Sequence, residues 1–312
     1  MNLKILRTII IIIAILYFIP ALSQEKKYEK HVFTYKKVKD HEIKANIFIP
    51  NIKQNHPVIV YFHGGGFIFG NRDEGLEDVL RDSLLAHNYV VVSADYRLAP
   101  ETKLDEILKD VRDVIVYLRK EGVKKFNING DKIAVVGGSA GGYLALSAGY
   151  NVQPPPLAII AISTPTDFSA TSKMEKGDEA ILKQPGPYDI VSDKIVSYGD
   201  YTTRMDLWRF LAKNKLANSE VFGFDVTKDT TRLKTFMLTK QITSSYPPTL
   251  LIHAKNDHLV PLSAVEPFYE FLKEKGIESE LFLEEDGHNN QLIKNNPKAI
   301  ERLILFMDKH LK

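Results

Sequence analysis

The segment Gly137-Gly138-Ser139-Ala140-Gly141 has the spacing G-x-S-x-G. Between a buried strand and a helix, glycines two before and two after the serine allow a tight turn. The hydroxyl then projects above a sheet at a helix N-terminus, where it can attack a carbonyl carbon. Alone, the pattern also fits an ordinary glycine-rich strand-to-helix turn. A second motif separates the two readings. His63-Gly64-Gly65-Gly66 directly follows the apolar run Val58 to Phe62, where acyl-transfer chemistry needs hydrogen-bond donors aimed at the oxygen that becomes negative. Glycines let main-chain N–H groups approach that oxygen, and losing one such donor costs about 3 kcal/mol. The N–H of Ala140 and those of two glycines among Gly64, Gly65 and Gly66 are the candidate donors.

A serine nucleophile needs a base, and the base needs an acid to orient it, expected here in the chain order Ser, acid, His. Of the nine histidines, His288 alone follows a late strand and sits in a short polar turn, Asp286-Gly287-His288-Asn289. His310 falls in a terminal helix, on an expected solvated face. His253 lies inside the apolar run Thr249 to Ala254, as a core histidine would, and His258 is a weaker alternative base. Two acids compete. Asp257 stands three residues past that run; Asp286 is two residues from His288, a spacing that suits a turn residue better.

These residues need a scaffold, and the hydrophobic pattern supplies one. Residues 31–38 and 42–49 read as two edge strands joined by a short turn. Val58 to Phe62, Tyr89 to Ala94, Ile133 to Val136, Leu157 to Ile162, Pro248 to Ala254 and Glu278 to Leu283 read as further strands, most of them continuous apolar runs. Between them lie stripes with helical spacing. One carries Leu76 to Leu85, and one runs from Asp105 to Glu121 and is closed by Gly122. Others reach through Tyr150, from Ser263 to Lys275 and from Pro297 to His310. Such alternation predicts an α/β fold, with a mostly parallel central sheet covered by helices on both faces. From 164 to 246 the alternation stops, and one amphipathic helix near Met205 to Lys215 stands out. A structureless loop of that length is improbable in a compact domain, so this segment reads as a mainly helical cap insertion.

With HGGG at 63–66, Asp95-Tyr96-Arg97-Leu98-Ala99-Pro100-Glu101 and GGSAGG at 137–142, the chain resembles the hormone-sensitive-lipase branch of the α/β hydrolases over nearly all of residues 31–312. The resemblance implies an eight-stranded sheet, a cap over the site and carboxylic ester hydrolysis without metal or organic cofactor. It places the acid at Asp257 and favours Gly65 and Gly66 over Gly64 as oxyanion donors. Too few residues precede the first strand for the usual N-terminal cap helices, so the 164–246 insertion is expected to supply the lid. The family's substrate preference therefore does not transfer. His63 is expected to brace its loop, and Asp95, Arg97 and Glu101 to fix loops. Tyr188, Tyr198, Tyr201 and Trp208 either line a substrate pocket or pack the cap onto the core.

Composition narrows the setting. Lys4 and Arg7 precede the apolar run Ile9 to Ile19, and Pro20 then leads into Ala21-Leu22-Ser23. This is the pattern of a signal peptide of residues 1–23, with the mature domain at 24–312; an uncleaved anchor is the alternative. Without residues 1–23, Lys and Arg fall from 41 to 39 and match the 39 acidic residues. A balanced chain carries no electrostatic footprint for nucleic acid. The absence of cysteine excludes disulfides, thiolate metal sites and a cysteine nucleophile. The expectation is an exported bacterial serine esterase acting on a small-molecule or glycan ester, with no stable membrane association after cleavage. An acetyl or feruloyl esterase of polysaccharide is the alternative within enzymes, and a binding protein on an inactive hydrolase scaffold the alternative outside them.

Overall fold

The computed structural model describes residues 28–52, 55–166, 168, 190–294 and 296–312. The segment read as a signal peptide lies outside the described residues, as do Tyr188 and most of the stretch from 167 to 189. Eight strands form one sheet: β1 (Tyr28–Val38), β2 (His41–Pro50), β3 (His56–Phe62), β4 (Val90–Ala94), β5 (Ile128–Gly138), β6 (Ala158–Ile162), β7 (Thr249–Ala254) and β8 (Ser279–Glu284). Their spatial order is β1-β2-β4-β3-β5-β6-β7-β8. The β1–β2 and β2–β4 pairs are antiparallel, and every other pair is parallel.

The strand runs are continuous because both sheet faces are covered. On β3, Val58, Val60 and Phe62 enter one core while Ile59 and Tyr61 enter the other, as the two-residue period of a strand requires. Helices α1 (Asp78–Ala86) and α11 (Pro297–Leu311) bring Leu80, Leu84, Leu303 and Met307 to the second face. Helices α2 (Leu104–Tyr117) and α4 (Ala140–Asn151) cover the first with Ile107, Val111, Tyr143 and Leu144. The short turns α3 (Val123–Phe126) and α10 (Gln291–Lys294), and helix α9 (Glu266–Glu274), complete the core elements.

The expected end of α2 is corrected. Gly122 does not stop the helix: its own φ is helical, at −60°. The chain passes through a wider turn at Leu118–Gly122 into α3 and stops at Asn127, whose φ of 52° is left-handed. Asn tolerates that conformation through its short polar side chain. His310 is corrected too. It is not on a solvated face, because its ring packs 4.8 Å from Phe306 and Nε2 lies 3.2 Å from a Glu278 carboxylate oxygen.

Between β6 and β7 the described chain is helical: α5 (Tyr201–Lys213), α6 (Ala217–Phe222), α7 (Thr230–Leu233) and α8 (Leu238–Gln241). One arginine fastens this layer to the core. Arg204 on α5 is buried and forms a two-pronged pair with Glu101 at 2.9 and 3.0 Å. It also donates at 2.6 Å to the carbonyls of Ile68 and Ala99. Guanidinium geometry suits this fork, and the two carbonyls take two of its remaining donors.

Candidate active site

Parallel strands deliver their C-terminal ends to one edge of the sheet, where α/β proteins hold their sites. His63 to Gly66 follow β3, Ser139 follows β5, Asp257 follows β7 and His288 follows β8. Ser139 sits at the N-terminus of α4 with φ 54° and ψ −121°. That strained backbone is held because its N–H donates to the Ile162 carbonyl at 2.7 Å. Gly141 packs against β3: a Cβ there would stand 2.1 Å from the Phe62 carbonyl oxygen. The glycine spacing is thus a matter of space, since strand and helix approach too closely for a side chain.

Asp257 and His288 form a pair. His288 Nδ1 lies 2.7 and 3.0 Å from the two Asp257 oxygens, which leaves Nε2 on the far side of the ring. Burial pushes the Asp257 carboxyl up. The hydrogen bond and charge of His288, with the amides of Val260 and Leu259, outweigh burial and hold it below the ordinary carboxylate range. Asp286 is placed elsewhere, accepting from the Asn256 amide at 3.1 Å in an exposed turn. His253 is buried beside Val260, its Nε2 2.9 Å from that carbonyl oxygen, and the His258 ring lies 6.4 Å from that of His288.

The glycine loop is built around His63. Its ring stacks on Tyr96 at 4.2 Å, and Nδ1 lies 2.7 Å from the Gly64 carbonyl oxygen. The Tyr96 hydroxyl donates to the His63 carbonyl at 2.8 Å. Burial lowers the His63 pKa to about 4, so the ring is neutral near pH 7. Gly65 and Gly66 turn the chain with φ of 105° and 58°. Among the described residues no main-chain carbonyl accepts from either amide. The Ala140 amide heads α4, where the first N–H groups have no partner within the helix. Asp95 pairs with Arg72 and Arg97 with Asp110, so both fix loops, as Glu101 does through Arg204.

Gly66, Ser139, Ala140 and His288 open onto one cavity of about 130 Å³. Its walls are mostly apolar and include Phe67, Phe168, Trp208, Val221 and Phe222, with Asn218 a polar exception. Trp208 both lines the cavity and packs on the core, because a Cβ at Gly66 would meet its ring nitrogen at 2.4 Å. Tyr201 contacts Phe69 outside the cavity, and the Tyr198 ring lies under the Arg72 guanidinium at 4.5 Å. Hydropathy could not sort these aromatic residues, because it records no direction. Among the described residues no group of three histidines or carboxylates is arranged to hold a metal ion.

This sheet, with a serine elbow on the strand-to-helix turn after β5, defines an α/β hydrolase. The same fold is found in an α/β-hydrolase superfamily protein of Enterococcus faecalis, with a TM-score of 0.68 and 20% identity over 90% of this chain and 99% of that one. The model of the BD-FAE family matches residues 45–272, and the chain belongs to that family, within the hormone-sensitive-lipase-like α/β hydrolases. It is 26% identical over 282 residues to the probable carboxylesterase M8 of Phoma sp., covering 81% of this chain and 86% of that one. It is also 26% identical over 305 residues to the non-reducing polyketide synthase Preu6 of Preussia isomera. There the match takes in 86% of this chain but only 14% of the synthase.

Proposed function

We propose that this protein is a serine esterase that hydrolyses small carboxylic esters through an acyl-enzyme. One observation carries the reading: the Asp257–His288 pair, the Ser139 elbow and the Gly66 turn converge on a single apolar cavity. The Ser139 oxygen attacks the ester carbonyl carbon and passes its proton to Nε2 of His288, while Asp257 steadies the imidazolium. Negative charge gathers on the carbonyl oxygen, facing the amides of Ala140 and of Gly65 and Gly66, with Gly64 the less favoured donor. Collapse expels the alkoxide, which takes the proton from His288, and water then releases the acid by the same steps in reverse. The similarity to a probable carboxylesterase supports this reaction class. Export, with residues 1–23 as signal peptide, belongs to the proposal and rests on the N-terminal pattern alone.

The test is p-nitrophenyl acetate hydrolysis by the wild-type protein and by Ser139→Ala. A loss of kcat of about 10⁴-fold or more is expected. Equal rates from the two proteins would refute the assignment.

A further inference from the structure

His288 is followed by Asn289, whose side chain reaches across to the two loops opposite. A Cβ added at Gly138 would stand 1.7 Å from Asn289 Oδ1, and one at Gly64 would stand 3.1 Å from Asn289 Nδ2. The carboxamide therefore lies over Gly138, the residue before the serine, and beside the first glycine of the oxyanion loop. Its backbone is anchored as well. The Asn289 N–H donates at 2.8 Å to the Ser163 hydroxyl, and Ser163 is fully buried at the end of β6. Ser163 in turn donates its own N–H to Ile252 on β7 at 2.9 Å. Asn289 has φ 49° and Ser163 also 49°, so both ends of this link sit in the left-handed region that few side chains adopt.

We infer that Asn289 is a positioning residue: by filling the space left by Gly138, it sets His288 against Ser139 and Gly64. The physical case rests on what else holds the histidine. Asp257 fixes the far edge of the ring, and the Gln291 side chain accepts from the His288 N–H at 3.0 Å. Both contacts lie on the β7–β8 side of the site. Asn289 is the part of this turn that touches the nucleophile's loop, so it fixes the base relative to the serine across the sheet edge. The glycine at 138 and the asparagine at 289 are thus one feature, 151 positions apart in the chain.

The inference rests on Ser139 and His288 as nucleophile and base, and its test separates the two. Asn289→Gly removes the carboxamide while keeping a residue that tolerates positive φ. Gly138→Ala leaves Asn289 in place but takes its seat. Each is expected to lower kcat about 10- to 100-fold with KM held within about twofold, because a small misplacement of reacting groups acts on the chemical step. In the double variant the Gly138→Ala penalty should largely disappear, since no carboxamide remains to be displaced. Circular dichroism melts confirm that rates are read on folded protein. Wild-type kcat in Asn289→Gly, or an undiminished Gly138→Ala penalty in the double variant, would overturn the inference. If either occurs while Ser139→Ala is inactive, the esterase assignment stands and only the positioning role falls.

Discussion

At the scale of single residues, the site depends on side chains kept in one charge state by their surroundings. Asp257 is held ionised by its partner, whereas His63 is held neutral by burial. For His63 the consequence for stability follows from linkage. Its folded pKa of about 4 lies below the ordinary histidine value. Between roughly pH 6.5 and 4 the unfolded chain therefore takes up a proton that the folded protein excludes. His63 by itself contributes a loss of about 3 kcal/mol as pH drops through that window, while Asp95, whose carboxyl is raised by burial to about 7, acts in the opposite direction over the same range. Urea melts of wild type and His63→Gln between pH 4 and 8 isolate this contribution: the wild type should lose more stability toward pH 4 than the variant does. The bracing role of His63 was legible from its place beside the glycines. Its stacking on Tyr96 was not, because the two are 33 positions apart and meet only across neighbouring strands.

At the scale of elements, the strands are legible in the sequence because a continuous apolar run has few alternatives when both faces are covered. The end of α2 departs from the expectation for a local reason. Glycine is the common stop, yet Gly122 is occupied in packing against Leu118 and Ile128. Asn127 takes the left-handed position instead. The attachment of α5 depends on a contact with no sequence signature, the buried Arg204–Glu101 pair. Glu101→Ala leaves a buried guanidinium without its counter-charge, which costs about 3–5 kcal/mol. A thermal melt should register this as a lower Tm. Because α5 also carries Trp208, KM for small esters should rise in the same variant.

For the molecule as a whole, the cavity is the expected limit on which esters the proposed esterase accepts. Its volume of about 130 Å³ is close to that of apolar cavities of about 150 Å³ that admit benzene. The expectation is that this space holds an acyl group of two to four carbons better than an extended eight-carbon chain. The kcat/KM for p-nitrophenyl octanoate should therefore fall at least about tenfold below that for the butyrate, since each misfitted methylene costs about 1 kcal/mol or more. Trp208→Ala opens the wall beside Gly66 and should raise the octanoate-to-butyrate ratio. A chain-length series on both proteins measures it. An unchanged ratio would place the limit elsewhere on the wall.

The amino-acid sequence by itself determined where a serine elbow, a candidate oxyanion loop and an alternating α/β core would form. Each of these is a local matter of glycine spacing or of apolar periodicity. It also singled out His288 as the candidate base, the one histidine in a polar turn after a late strand, and the family resemblance placed the candidate acid at Asp257. Only the tertiary structure set His288 Nδ1 2.7 Å from Asp257, seated Asn289 on Gly138, fastened Arg204 to Glu101 and lined the cavity with Trp208 and Phe222. Each of those depends on the distance and direction of side chains brought together by the sheet, and neither quantity is written in the order of residues along the chain.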